Sequence, residues 1–219
     1  MSSAPPKIDS KQALLLSAKK VFAEKGFEGA TVKDLADDAG VNVSLVSYHF
    51  GGKDGLYRAC VMQFAEARVD AIERILKPVT STSELKIRLR LFAEEFVDVH
   101  MREPDLCKII HRDVERMNDI GAEVMRDGFF KLFLKFVDFL KSAEKAKVIR
   151  KMKDPEISAS LTFGALIHTL SKEKHRHILG RPSISDPKYR EEFLSTWTEM
   201  SVLGLGQHPS TAQTGTQES

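Results

Sequence analysis

Apolar residues recur three and four positions apart along most of this chain, the spacing that places them on one face of a helix. Leu14, Ala18, Val21 and Phe22 predict a first helix, capped by Ser10, running to about Lys25 and closed by Gly26-Phe27. A second, short helix carries Val32, Leu35, Ala36 and Ala39 on one side. Thr31 stands at its N-cap, and Asp34 follows at the spacing from which a carboxylate returns to the cap amide. Gly40 ends it where a left-handed residue is needed, and Val41 packs back into the corner. Asn42 caps a third helix, Val43 to Phe50, whose Val46 and Phe50 face inward. Gly51-Gly52 stops that helix and Lys53 opens the next. Three short helices sharing one small core, with a glycine turn between the last two, are the pattern of a helix-turn-helix.

The fourth helix, Lys53 to about Leu76, carries Leu56, Tyr57, Cys60, Val61, Phe64, Ala67, Ala71, Ile72 and Ile75 on more than one face. It is therefore expected to leave the head and enter a second domain. Residues 78–83, PVTSTS, form a turn in which Thr82 or Ser83 caps a helix from Glu84 to about Arg102, with Leu85, Leu89, Phe92, Phe96 and Val99 in register. Glu103-Pro104 breaks it, and a short helix from Asp105 carries Leu106, Ile109, Ile110 and Val114. Residues 121–143 are dense in phenylalanine, with Phe129, Phe133 and Phe136 on one stripe and Phe130 pointing elsewhere. The basic run KAKVIRKMK, 145–153, reads as a solvated connector. Asp154-Pro155 starts a helix reaching Ile178, with small residues at Ser158, Ala159, Ser160, Gly164 and Ala165. Asp186-Pro187 starts the last, with Phe193, Leu194, Trp197, Met200, Val202 and Leu203. The arm before Ser10 is loose, with Pro5-Pro6-Lys7 in it, and the polar tail is disordered.

Composition narrows the function classes. Of 219 residues, 42% are hydrophobic and 29% charged, ordinary for a globular protein, and the net charge of +2 means that any nucleic-acid contact rests on a local surface. No apolar run approaches the ~20 residues of a membrane span, and the N-terminus lacks a signal-peptide core, so a cytoplasmic location is expected. Cys60 and Cys107 fit a reducing compartment and read as buried, inert thiols. Isolated histidines and no Cys-x-x-Cys pair argue against zinc; His175 and His177 read as a solvated helix end. No paired carboxylates or nucleophile–base spacing point to an enzyme, and no cofactor is expected.

DNA suits the head better than catalysis does. A recognition helix reads base edges from its N-terminal turns. Here Val43, Ser44 and Leu45 lack the forked donors that bind guanine or adenine twice, leaving thymine methyls, a serine hydroxyl and shape readout. Ser47, Tyr48 and His49 lie toward the outer face; Tyr48 and His49 can donate to phosphates, and Lys53 sits at a helix N-terminus, a natural phosphate seat. The stretch GVNVSLVSYHFGGKDGLY resembles the signature of the TetR family of bacterial transcriptional regulators, matching it at Gly40, Val41, His49, Phe50, Lys53 and Leu56. Upstream, Ala18, Phe22, Gly26, Thr31, Val32, Leu35 and Ala36 match as well. Ser47 departs from it, standing where the family often has tyrosine, with Tyr48 beside it.

The resemblance implies an all-α chain. It has a three-helix helix-turn-helix DNA-binding domain (1–52), a larger C-terminal helical effector-binding and dimerisation domain (53–206) and a disordered tail (207–219). Expected DNA contacts are Thr31, Asn42, Val43, Ser44, Leu45, Ser47, Tyr48, His49 and Lys53. Expected lining for an unknown small-molecule effector is Phe64, Phe92, Phe96, Met125, Phe129, Phe133, Phe163 and Ile167, with Met101 near it. The last two helices are implied to pair with their two-fold copies in a homodimer, and the role is that of a repressor released from a palindromic operator by the effector. An activator or architectural role is the neighbouring alternative; a helical small-molecule carrier or enzyme without regulatory DNA binding is the distant one.

Overall fold

The structure, a computed structural model, describes residues 9–116, 122–123 and 125–206. Its elements are α1 (Ser10–Gly29), α2 (Val32–Ala39), α3 (Ser44–Phe50), α4 (Lys53–Ile75), α5 (Thr82–Arg102) and α6 (Pro104–Arg116). A π-helical turn (Met125–Phe129) then runs into α7 (Phe130–Lys145), followed by α8 (Pro155–Ser171), α9 (Glu173–Ile178) and α10 (Pro187–Leu205). Among the described residues the chain is all-helical, and no helix is long and apolar enough to cross a membrane. The described residues divide into two compact units. One holds those up to Ile72 together with Asp98–Leu132; the other holds Glu73–Val97 and those from Phe133 onward. The expected N-terminal arm and C-terminal tail lie outside the described residues, as do Gly121 and the side chains of Val114 and Met125.

The first unit is built on Leu14, Ala18 and Phe22 of α1, Leu35 of α2, Val46 of α3 and Leu56 of α4, all fully or nearly fully buried. The same core takes in Leu106 and Ile109 of α6, a contribution that the three-helix reading of the head did not foresee. Ser17, buried in α1, donates its hydroxyl to the Leu35 carbonyl at 2.9 Å, tying α1 to α2. Phe27 closes the corner as expected, its ring 5.0 Å from Tyr57 and Tyr57 in turn 5.2 Å from Phe22. The regular run of α1 ends at Lys25, as the sequence predicts. Gly26 adopts φ 80°, ψ 169°, breaking the helix at that one residue, and a final turn continues to Gly29. Ser10 is its first helical residue rather than its cap, which falls on Asp9.

The second unit is built on aromatic rings. Phe92 of α5 is fully buried; its ring stacks on Phe136 of α7 at 4.7 Å and lies 4.9 Å from Phe96 and 5.7 Å from Phe163 of α8. Trp197 of α10 also packs there, 6.3 Å from Phe92, and donates its indole N–H to the Thr162 carbonyl at 3.1 Å. A buried indole needs such an acceptor, and the bond joins α10 to α8. Arg90 ties α5 to α10 through Glu191 at 2.6 Å, while also bonding Glu94 at 2.7 Å.

The structure corrects four expectations. The cap of α5 is Ser81, whose hydroxyl accepts from the Glu84 amide at 3.2 Å, while Glu84 accepts from the Thr80 amide at 2.7 Å; Thr82 already lies inside the helix. The basic run is no mere solvated connector, because Val148, Ile149 and Met152 between its exposed lysines are buried, and the Arg150 amide donates to the Leu205 carbonyl at 3.0 Å. The helix from Pro155 ends at Ser171, where Lys172 leaves helical geometry, and α9 follows as a separate turn. The phenylalanine stripe is divided: Phe129 joins the first unit, 6.0 Å from Phe64, whereas Phe133 and Phe136 belong to the second.

Candidate nucleic-acid interface

Local chemistry positions α3. Thr31 accepts from the Asp34 amide at 3.1 Å while Asp34 accepts from the Thr31 amide at 3.0 Å, a complete capping box at the start of α2. Lys25 bonds the same carboxylate at 2.7 Å. The lysine first, and the Thr31 amide second, hold Asp34 down at a pKa of about 2. Gly40 takes the left-handed conformation, φ 65°, and the Val41 amide reaches back to the Ala36 carbonyl at 3.0 Å, which fixes the turn. Asn42 accepts at Oδ1 from both the amide and the hydroxyl of Ser44, at 2.9 and 2.7 Å, and so starts α3. Gly51, again left-handed at φ 74°, ends it.

The resulting helix has a sharply two-sided surface. Val46 is fully buried, with Leu45 and Phe50 half-buried against the core. Val43, 49% exposed, and Tyr48, 80% exposed, stand out with Ser44 and Ser47 on the opposite side. Two expected contact residues turn inward instead. His49 is half-buried, with its Nε2 in a 2.8 Å hydrogen bond to Ser10 Oγ at the start of α1. Lys53 directs its ammonium to the carbonyls of Phe27 and Ala30, at 2.9 and 3.1 Å, and lies 4.4 Å above the Phe27 ring. A cation suits carbonyls at the end of a helix, which carry its negative pole. Thr31, at the start of α2, and Asn42, at the start of α3, are both exposed.

Ser10 and Arg112 are the positioning residues that the sequence reading missed. Arg112 of α6 donates to the Phe22 carbonyl at 2.9 Å, and its guanidinium lies about where a side chain at Gly26 would project, 3.5 Å away. Their partners are 39 and 90 residues distant along the chain, so no local spacing could have announced them. The expected effector-lining residues are shared between the two units. Phe64 and Phe129 fall in the first; Phe92, Phe96, Phe133, Phe163 and Ile167 fall in the second, where Phe163 lies 5.1 Å from Phe96 and 6.3 Å from Phe133. Met101 lies in the first unit and is exposed. Cys60 and Cys107 are buried, and burial pushes both thiols up to about 12. Among the described residues no group of three or more His, Cys, Asp or Glu is placed to hold a metal ion.

Residues 10–60, which hold α1 to α3 and the start of α4, match the model of the bacterial regulatory proteins of the tetR family. That stretch is a DNA-binding domain of the tetR-family type. The chain is a DNA-binding regulator of transcription. Over 141 residues it is 28% identical to the probable HTH-type transcriptional regulator YttP of Bacillus subtilis, covering 64% of this chain and 68% of that one. Over 93 residues it is 30% identical to the transcriptional activator FasR of Mycolicibacterium smegmatis, covering 42% of this chain and 41% of FasR. The likeness therefore reaches about two thirds of the length of YttP and less than half that of FasR. In fold the chain is similar to FadR of Bacillus subtilis, solved in complex with stearoyl-CoA, with a TM-score of 0.73 at 14% identity, over 88% of this chain and 98% of that one.

Proposed function

We propose that this TetR-family regulator is a cytoplasmic homodimer, without enzymatic activity, that represses transcription from a two-fold operator until a small-molecule effector releases it. The carrying observation is the two-sided α3. Its buried side is fixed by Val46 and by the caps of α2 and α3, so its exposed Val43, Ser44, Ser47 and Tyr48 are presented rigidly to a groove. Thr31 and Asn42 extend that surface toward phosphates, and Leu45, His49 and Lys53 act by holding the helix in place.

The dimer reading is supported by two helices that leave apolar faces uncovered. On α8, Ile157, Leu161, Gly164, Ala165 and His168 are exposed at helical spacing, with Leu161 73% exposed. On α10, Met200, Leu203 and Gly204 are exposed, with Leu203 at 77%. Large apolar side chains beside glycine and alanine suit close helix–helix packing, and a second copy supplies an identical pair of helices about a two-fold axis. For the effector, Phe92, Phe96, Phe133, Phe163 and Ile167 offer an aromatic lining in the second unit, and the stearoyl-CoA bound by FadR makes acyl-CoA esters the first compounds to try. An effector that prefers the dimer with mis-spaced heads lowers DNA affinity by the factor by which DNA lowers its own.

Fluorescence anisotropy with duplexes selected from a random pool, and with the DNA upstream of the protein's own gene, tests the reading across a salt series. Enrichment of a two-fold sequence bound more weakly as salt rises is expected. Failure to enrich any sequence would refute operator binding. Leu161→Glu and Leu203→Glu are expected to sediment as monomers and to bind the selected duplex at least ten-fold more weakly. A variant that stays dimeric places the interface elsewhere.

A further inference from the structure

The hydrogen-bond state of α3 restricts what it can read in DNA, and this inference rests on the DNA-binding role proposed above. From Gly40 to Gly52 the chain contains no arginine, lysine or glutamine, so the forked or long donors that address guanine are absent from the helix and both its ends. The single amide side chain, Asn42, has its oxygen occupied twice over by Ser44, which rules out the paired donor–acceptor contact by which asparagine selects adenine. Ser44 has given its hydroxyl proton to Asn42 and is left as an acceptor. His49 is bonded to Ser10, and the Lys53 ammonium is drawn back onto two carbonyls of the head. What α3 still offers is the isopropyl group of Val43 on the residue before its first turn, the Ser47 hydroxyl one turn later, and the Tyr48 ring and phenol.

We propose that Val43 is the specificity-determining residue of α3, and that it selects its half-site by apolar contact with thymine C5-methyl groups. Thymine is the base that carries a methyl group in the major groove, and Val43 is the large aliphatic side chain that α3 presents there. The operator half-site is thus defined by thymines whose methyls touch Val43, with Ser44 adding acceptance from an adenine or cytosine amino group. Guanine enters through groove shape or a single bond from the Ser47 or Tyr48 hydroxyl rather than through a forked contact from α3.

Replacing thymine by uracil removes the methyl and leaves every hydrogen-bonding group of the base pair in place. The selected duplex is therefore compared with versions carrying uracil at each thymine in turn, using the full-length protein in fluorescence anisotropy at fixed salt. Burial of one methyl corresponds to about a four-fold loss of affinity at one half-site, and about fifteen-fold when both halves of a two-fold operator are changed. The sensitive position is expected to lose that dependence in Val43→Ala, which then binds the thymine and uracil duplexes alike. Val43 is half-exposed and outside the core, so the variant keeps its fold, checked by an unchanged melting temperature. Three outcomes overturn the inference while leaving DNA binding intact: indifference to uracil at every position, a Val43→Ala variant that still discriminates uracil from thymine, or a greater loss from 7-deazaguanine than from uracil. Failure of the native protein to bind any duplex overturns the inference together with the role beneath it.

Discussion

Lys53 stands where a phosphate contact was expected, and its geometry assigns it another task that Lys53→Ala separates cleanly. The native ammonium bonds the Phe27 and Ala30 carbonyls at 2.9 and 3.1 Å and sits 4.4 Å over the Phe27 ring. A hydrogen bond from a charged donor is worth about 1.5–3 kcal/mol, and a cation over an aromatic face about 0.5–1 kcal/mol more where exposed. Lys53 is half-buried, so both carbonyls regain water when the ammonium is removed, and the net loss comes to about 2 kcal/mol. For a chain of 219 residues that lowers the melting temperature by about 4–8 °C. Circular dichroism melts of the native protein, Lys53→Ala and Lys53→Met report this directly, the methionine retaining the stem over the Phe27 ring. The companion measurement is the slope of log affinity for the selected duplex against log salt. A phosphate contact from each head of a dimer would make that slope shallower by about 1.8 when Lys53 is removed. The structural role predicts a lower melting temperature with an unchanged slope. An unchanged melting temperature together with a slope shallower by that amount would refute it and return Lys53 to the DNA.

Further outcomes follow from the same geometry. Asp34, held near 2 against an ordinary 3.8, supports α2 fully above about pH 4 and loses that support as pH falls toward 2; the gap in urea midpoint between the native protein and Asp34→Asn is expected to close over that window, and a gap still open at pH 2 would contradict the capping role. Cys60 and Cys107, both pushed up to about 12 by burial, are expected to stay unmodified by a chromogenic disulfide reagent at pH 8 until denaturant is added, whereas one fast equivalent in native buffer would show an accessible thiolate. Phe92→Ala removes the ring against which Phe96, Phe136, Phe163 and Trp197 pack, and is expected to cost about 3–5 kcal/mol in urea unfolding followed by the emission of Trp197; a loss below about 1 kcal/mol would mean that the aromatic cluster does not organise the second unit.

The parts of the head written into neighbouring residues are legible in the sequence itself. The Thr31–Asp34 box, the left-handed Gly40 and Gly51 and the Asn42 cap each depend on residues within three or four positions. The inward turn of His49 and Lys53 is not legible there, because the partners that draw them in, Ser10, Phe27 and Ala30, lie between 23 and 39 residues away. The break between α8 and α9 carries no proline or glycine to mark it; Lys172 ends the helix with its amide shared between the His168 and Thr169 carbonyls at 3.2 Å. Charge likewise conceals the anchoring of the basic run, where lysines outnumber the three apolar side chains that hold it down.

The engagement of α6 with the first helices bears on how this regulator could be re-engineered. Leu106 and Ile109 are sealed into one core with Leu14 and Phe22, Arg112 holds the Phe22 carbonyl, and Lys19 pairs with Glu103 at 3.2 Å. A reading head cut off after residue 60 would take its DNA-facing helix along but leave behind the floor on which α1 rests. It is therefore not a portable cassette, and a chimera that swaps operator preference between regulators must either import α6 with the head or match its α1-facing side chains to the new host.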